Sequence, residues 1–184
     1  MKNTFLILIL GIAVGAGGLW FAMRDVGVSS DMAVDRLKDV SAENASDTIR
    51  YQNEGYGFVL DYPRGLVVKE FDEGRGAYTV VFQKPGEYVG FQVYMTPNVG
   101  NTIDGVTIQR DVPSGVVDDL KEEDLVIDGG KSKVRAATFW SQSTLAGKTR
   151  EIWLLHNGFI FEFTAYAGAD EMLRQVLSTL TFTK

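Results

Sequence analysis

Two glutamates in the C-terminal part of the chain have the type and spacing that acid–base chemistry requires. Glu151 and Glu162 lie in two runs of β-branched and aromatic residues on either side of Asn157-Gly158. Neighbouring carboxylates can serve as general acid and general base in hydrolysis. In a two-residue hairpin Glu151 is opposite Thr164 and Glu162 is opposite Trp153, so the carboxylates share a face but are not directly opposed. A carboxylate-based hydrolase is therefore an alternative function, without an assigned catalytic residue.

The remaining ionisable side chains favour structural roles. His156, the only histidine, directly precedes the turn, where a partly exposed polar residue is common. The acidic stretch 118–128 lacks EF-hand spacing and is interrupted by Lys121, which is typical of a solvated surface rather than a calcium site. The sequence thus predicts no metal-binding or cofactor-binding residue, and a metal or small-molecule sensor remains a further alternative.

The serines and large aromatic residues form no recognisable ligand site. No Gly-x-Ser-x-Gly or Ser-x-x-Lys motif surrounds the three serines considered as nucleophiles. These are Ser141, Ser143 and Ser178. Four aromatic residues are predicted to lie in the core or at its rim: Trp140, Trp153, Tyr94 and Tyr166. An exposed aromatic cluster would be the first candidate for a partner surface.

Composition narrows the function classes further. The chain has 184 residues, no cysteine, one histidine and a formal net charge of −6. This length suits one domain with a substantial core. Cysteine nucleophiles, cysteine zinc sites and histidine triads are largely excluded, and the negative charge gives no support to nucleic-acid binding. We therefore predict a non-enzymatic domain that needs no cofactor and binds a protein or cell-envelope partner.

Residues 1–24 are predicted to be an N-terminal transmembrane signal-anchor. The uncharged apolar run 5–23 would make about 28 Å of helix, close to the ~30 Å hydrocarbon thickness of a bilayer. Lys2 favours a cytoplasmic N-terminus and an extracytoplasmic C-terminal domain. A secretory signal cleaved after Ala16 is the alternative. A small-residue stripe of Gly11, Gly15 and Gly18 permits close helix–helix approach and weak self-association, and the alternative is that glycine is simply common in membrane helices.

A polar linker, residues 25–48, is predicted to precede a folded domain at residues 49–184. Short β-type runs separated by turn signals fill this domain, and the Asn157-Gly158 hairpin sets a register. It pairs His156 with Phe159, Leu154 with Phe161 and Ile152 with Phe163. Because both faces of this hairpin carry apolar residues, the sheet needs cover on both sides, which favours an α+β layered fold.

Two segments have helical spacing and could provide that cover. Met172, Leu173, Val176, Leu177 and Leu180 form an apolar stripe with Asp170 as the expected N-cap, and residues 181–183 return as a short strand. A weaker helix is predicted over 102–110, where Gly105 lowers the helical propensity.

The beginning and end of this domain resemble a known family. Tyr51-Gln52-Asn53-Glu54-Gly55-Tyr56-Gly57-Phe58, closing with Asp61-Tyr62-Pro63, resembles the opening Y-x-N-x-x-x-GF-x-x-x-YP stretch of PsbP-like domains. The segment 147–153, the hairpin and the ending 177–182 are similar to those of membrane-anchored bacterial proteins with such a domain. The resemblance covers about residues 50–184, and its motifs are mostly structural.

The resemblance implies an antiparallel β-sheet flanked by helices. PsbP proteins of photosynthetic organisms assist the oxygen-evolving complex and have been linked to metal ions. No metal ligand of that family can be mapped onto this chain. Relatives of the fold mostly bind other macromolecules, so the resemblance implies a binding domain more than an enzyme.

The anchor prediction can be tested by fractionation. Because residues 5–23 are long enough to span a bilayer, the native protein should begin at or near Met1 and stay with membranes through a high-salt wash. Protease added to intact cells or spheroplasts should remove the domain and leave the short anchor. A soluble mature protein that begins near Gly17 would contradict the anchor, and a protected domain would contradict the topology.

Overall fold

The computed structural model describes residues 47–98, 103, 108, 111–112, 116–143 and 147–183. The predicted anchor, its glycine stripe and nearly all of the predicted linker lie outside these residues. Within the part that is described, no helix combines the length and the apolar character needed to cross a bilayer. The described chain therefore bears only on the predicted domain at residues 49–184 and on the last residues of the predicted linker.

In the described residues, ten antiparallel strands form two sheets, and one α-helix follows the ninth strand. The strands are β1 (Thr48–Asn53), β2 (Phe58–Pro63), β3 (Val67–Gly74), β4 (Ala77–Gln83), β5 (Gly90–Pro97), β6 (Val117–Ile127), β7 (Ser132–Ser143), β8 (Gly147–His156), β9 (Phe159–Tyr166) and β10 (Thr181–Phe182). The helix α1 spans Asp170–Thr179. The small sheet has the order β1-β2-β10, and the large sheet has the order β3-β4-β5-β9-β8-β7-β6. The single sheet expected from the sequence is thus two sheets.

The first strand already begins at Thr48, one residue before the predicted domain start. The backbone N–H of Arg64 donates to the carbonyl oxygen of Asp47 at 2.9 Å, and the side chains of these two residues form an ion pair. Asp47 therefore belongs structurally with β1 and β2.

The β8–β9 hairpin has the register that the sequence predicts. His156 pairs with Phe159, Leu154 with Phe161 and Ile152 with Phe163. Asn157 and Gly158 have φ angles of 47° and 78°, as a type I′ turn requires. The predicted turn and its consequences for side-chain direction are confirmed.

One face of the large sheet packs against the small sheet and α1. Leu173, Val176 and Leu177 are buried on the inner side of the helix, and they repeat at the spacing of one helical face. They join Phe58 and Leu60 of β2 in the main apolar cluster. At roughly 1.5–3 kcal/mol for each fully buried large apolar side chain, this layer is the principal source of stability.

The other face of the large sheet carries a second apolar cluster. Its buried members are Ile108, Val112, Ala137, Phe139, Trp153 and Ile160. The predicted helix 102–110 lies mostly outside the described residues, but Ile108 and Asp111 have helical backbone and Val112 N–H donates to Ile108 O at 2.9 Å. Both faces of the sheet therefore have apolar cover, as the two-faced hairpin indicated.

The predicted N-cap role of Asp170 is wrong. A 3-10 turn, Ala167–Ala169, precedes α1, so Ala169 occupies the N-cap position and Asp170 already has helical dihedral angles of −57° and −46°. The Asp170 carboxylate instead lies 3.2 Å from Nε of the buried Arg150 on β8. This ion pair joins the start of the helix to the sheet, and the acidic residue also suits the positive end of the helix dipole.

The start of β5 allows a sharp test of backbone packing. Gly90 has a φ of 154°, and a Cβ there would lie 2.1 Å from the carbonyl oxygen of Phe82. Gly86, in the same β4–β5 hairpin, has a φ of 72° with no atom within 4 Å of its Cβ position. Gly90→Ala should therefore reduce the free energy of unfolding by about 2 kcal/mol more than Gly86→Ala, because only the former must displace backbone. Equal losses in urea unfolding would contradict this close approach.

Candidate functional site

The two glutamates lie together on the face of the large sheet that carries the second apolar cluster. Glu151 on β8 is opposite Thr164, and Glu162 on β9 is opposite Trp153, as the hairpin register predicts. Each glutamate is only 5% exposed. The hydroxyls of Thr149 and Thr164 donate to the two oxygens of Glu151 at 2.8 and 2.7 Å. The two carboxyl groups are thus buried polar groups, with Trp153 as an apolar neighbour.

Burial changes the protonation of both carboxyl groups. It raises the pKa of Glu151 to about 7, even though the hydrogen bonds from Thr164 and Thr149 favour the ionised form. The pKa of Glu162 is raised well above its usual range, first by burial and then by the charges of Glu151 and Asp111. Among the described residues, Glu162 Oε2 has no hydrogen-bond partner. The pair has the protonation state of a general acid, but a substrate would have to displace the covering cluster to reach it.

His156 lies at the end of β8, where the sequence placed it. Its ring stacks on Phe182 of β10, with ring centroids 3.8 Å apart and an interplanar angle of 12°. The half-buried imidazole therefore joins the large sheet to the small one. This packing agrees with the structural role that its position before the turn favours.

The acidic stretch forms most of the edge strand β6. Four of its carboxylates are exposed, those of Asp118, Asp119, Glu122 and Asp124. Lys121 pairs with Asp119 at 2.9 Å, and Arg135 pairs with Glu122 at 2.8 Å. In the described part of the chain, no group of three or more histidine, aspartate or glutamate side chains could hold a metal ion. Paired surface charge is the observed state of this stretch.

The serines and aromatic residues singled out in the sequence do not converge. Ser141 is buried on β7, and Ser178 donates to the carbonyl oxygen of Gln175 at 2.6 Å in α1. The side chain of Ser143 lies outside the described part of the structure. Trp153, Tyr94 and Tyr166 are buried, whereas Trp140 is half-buried. The prediction that these four aromatic residues belong to the core or its rim is confirmed.

A different set of aromatic side chains borders the gap between the two sheets. We call it the aromatic rim, and its six half-buried members are Tyr51, Tyr56, Tyr78, His156, Phe159 and Phe182. The Tyr56 ring centroid is 5.5 Å from that of Tyr78 and 5.3 Å from that of Phe159. Phe159 in turn pairs with His156 across the hairpin. Five of the rings thus form a connected series along one border of the domain, with Phe182 stacked on His156. Tyr51 is linked to this series through Glu70, to which both Tyr51 and Tyr78 donate.

Hydrogen bonds fix the tyrosines of the aromatic rim. Tyr51 and Tyr78 donate to the two oxygens of Glu70, at 3.1 and 2.6 Å, and Tyr56 donates to the carbonyl oxygen of Gly76 at 3.0 Å. The hydrogen bond to Glu70, followed by burial, raises the pKa of Tyr78 to about 12. The pKa of Tyr51 is also raised, chiefly by burial. These rings are therefore neutral at physiological pH and held in fixed orientations.

Two acidic side chains accompany the aromatic rim. Glu70 and Asp72 on β3 are exposed, and neither forms an ion pair with a basic residue of the described chain. Asp72 lies opposite Tyr78 in the β3–β4 register and accepts a hydrogen bond from Gly74 N–H at 2.8 Å. Sequence reasoning missed this surface. The Gly74-Arg75-Gly76 turn was the available signal, since it brings Asp72 across from Tyr78.

The architecture is that of a PsbP-like fold, mostly antiparallel sheet with a short C-terminal helix. The solution structure of cyanobacterial PsbP (CyanoP) from Synechocystis sp. PCC 6803 superposes with a TM-score of 0.52 at 13% sequence identity, covering 77% of this chain and 95% of that chain. No protein-family model matches the sequence, and no curated protein matches it. The structural likeness confirms the fold that the terminal motifs suggested, whereas membership of the membrane-anchored bacterial group stays a prediction.

The buried carboxylate pair should make stability depend on pH. A carboxyl group whose pKa is higher in the folded than in the unfolded state stabilises the fold fully below about pH 4.5, and this contribution is lost as the pH rises towards about 7. For Glu151 the loss is about 3 kcal/mol, and Glu162 adds a loss of the same sign. The free energy of unfolding, measured in urea, should decrease between about pH 5 and about pH 8. This decrease should be smaller in Glu151→Gln than in the wild type.

Glu171→Gln is the matched control, because this glutamate is exposed on α1. It should keep the pH dependence of the wild type. The same slope in the wild type and in Glu151→Gln would contradict the raised pKa of Glu151.

Proposed function

We propose that this chain is a non-catalytic, membrane-anchored extracytoplasmic domain that binds a protein partner through the aromatic rim. The observation that carries the proposal is the connected series of half-buried rings beside Glu70 and Asp72. Aromatic side chains are enriched in protein interfaces because they bury a large area at a small entropic cost. Here the hydroxyl hydrogen bonds already restrict the rotation of three tyrosines, which lowers the cost of association further.

The membrane-anchored, extracytoplasmic location is part of the same proposal, and the amino-acid sequence alone supports it. The apolar run 5–23 and Lys2 support a single-pass anchor with a cytoplasmic N-terminus. The polar residues 25–46 would then separate the domain from the bilayer, which leaves the rim free to meet a partner in the envelope. The PsbP-like fold is compatible with this role, but a fold alone does not assign one.

A carboxylate-based hydrolase is the second candidate, favoured by the raised pKa of Glu151. Against it stands the 5% exposure of both glutamates beneath the second apolar cluster. An interface at the aromatic rim needs no rearrangement of that cluster. The rim and the carboxylate pair therefore define separate proposals that mutations can distinguish.

Photo-crosslinking in intact cells tests the binding proposal. With p-benzoylphenylalanine at position 56, the full-length protein should form an adduct with one partner protein, because Tyr56 contacts two other rings of the rim. Tyr88 is the matched control, since it is an exposed aromatic residue in the β4–β5 hairpin, at the end of β4 away from Tyr78. The same photoreactive residue at position 88 should not form that adduct.

The adduct should persist when Glu151→Gln is added, because the carboxylate pair lies on the other face of the large sheet. Loss of the adduct in this correctly folded variant would favour the hydrolase. Identical adducts from positions 56 and 88, or none from either position, would overturn the proposed interface.

A further inference from the structure

The chemistry of the aromatic rim selects the charge of its partner. Tyr56, Tyr78 and Phe159 present rings at different orientations, with interplanar angles of 33° and 81° about Tyr56. The π-faces of such rings carry partial negative charge and attract cations. Glu70 accepts the hydroxyl hydrogen of Tyr78 at 2.6 Å, which increases the electron density of that ring. The rings and the carboxylate thus both favour a positively charged ligand.

The charges around the rim have the same sign. Glu70 and Asp72 are both exposed beside Tyr78, and no basic residue of the described chain neutralises either of them by an ion pair. Lys69 and Arg75 are the nearest basic residues along the chain, yet neither forms an ion pair with Glu70 or Asp72. An anionic group such as a phosphate would meet two carboxylates here, whereas a cation would meet complementary charge.

The chain itself shows how this chemistry binds a cation. On the large sheet the Trp140 ring lies 4.7 Å from Lys148 Nζ and 5.0 Å from Arg150 Cζ. Both distances are within the range for a cation–π interaction. At Trp140 the cations come from the neighbouring strand β8, whereas no lysine or arginine of the described residues lies over a ring of the rim.

We propose that the aromatic rim, with Glu70 and Asp72, binds an arginine side chain in a basic segment of a partner protein. Arginine fits better than lysine because its planar guanidinium stacks on aromatic rings while its N–H groups donate to carboxylates. Glu70 already accepts one hydroxyl on each oxygen, and each oxygen retains capacity for a second donor. This inference rests on the proposed function and names the chemistry of its partner.

The test uses the full-length protein in detergent micelles and three short peptides. One is a capped glycine peptide with two arginines, another has citrulline, the neutral isostere, at both positions, and the third has lysine at both positions. NMR titration should give a dissociation constant on the order of 1 mM for the arginine peptide, with shifts at Tyr56, Tyr78 and Phe159. The citrulline peptide should bind at least about tenfold more weakly, and a lysine peptide should bind more weakly than the arginine peptide.

Charge neutralisation at the rim supplies the matched comparison. Glu70→Gln combined with Asp72→Asn should weaken the binding of the arginine peptide by about fivefold to tenfold. Glu122→Gln combined with Asp124→Asn changes the net charge equally on exposed positions of β6 and should change the affinity less than about twofold. Tyr78→Leu tests the ring directly, and the two double variants keep the test decisive if this variant fails to fold.

Four results would overturn the inference. Three are equal binding of the arginine and citrulline peptides, equal effects of the two double variants, and equal binding of the arginine and lysine peptides. The fourth is binding that appears only after Arg36→Gln, because the linker of this chain would then be the occupant. If position 56 forms a partner adduct but the peptides show no preference for arginine, this inference is wrong and the proposed function stands. If the arginine peptide binds but no adduct forms, the binding chemistry is supported and the proposed function is wrong.

Discussion

Burial of the large sheet on both of its faces is the constraint on which the rest of the structure depends. Strand β9 is buried along nearly its whole length, so neither of its faces can be left to solvent. One face is covered by α1 and the small sheet, and the other carries the cluster around Trp153. Every polar side chain on these central strands must then find a partner inside the protein or change its protonation state. Arg150 forms an ion pair with Asp170, and Glu162 has a raised pKa that favours its protonated form.

This constraint separates the aromatic residues into two populations. Phe161 and Phe163 are fully inside the main cluster, where ring contacts contribute to folding alone. Tyr56 and Tyr78 lie where the two sheets separate, and their rings keep contact with solvent while their hydroxyls are bound. At the border between two sheets, large rings can thus be ordered without being fully buried in the core. That arrangement is suited to recognition, since the geometry of the surface exists before a partner arrives.

Local sequence signals predicted the parts of this fold that depend on local geometry. The Asn157-Gly158 turn determined the register of β8 and β9, including the shared face of Glu151 and Glu162, and the apolar spacing located the C-terminal helix. Strand β6 was not predicted because it is an edge strand, where acidic residues replace the apolar alternation and discourage pairing with another chain. The aromatic rim escaped detection for another reason: its residues come from β1, the β1–β2 turn, β4, β8, β9 and β10, and only tertiary structure brings them together. The role of Asp170 was mistaken because a 3-10 turn shifted the helix start by one position.

The small sheet has a consequence for the order in which the domain can form. Its outer strands come from opposite ends of the described chain, with Thr181 of β10 paired to Val59 of β2 and Tyr51 of β1 paired to Leu60. During synthesis, β2 therefore has one unpaired edge until more than one hundred further residues have emerged, and the apolar side chains Phe58 and Leu60 lack their cover from α1 for the same interval. Contacts of such long sequence separation form late and slowly, and an unpaired strand with apolar side chains is prone to aggregation. The domain is thus expected to need protection by chaperones until its last strand has been synthesised.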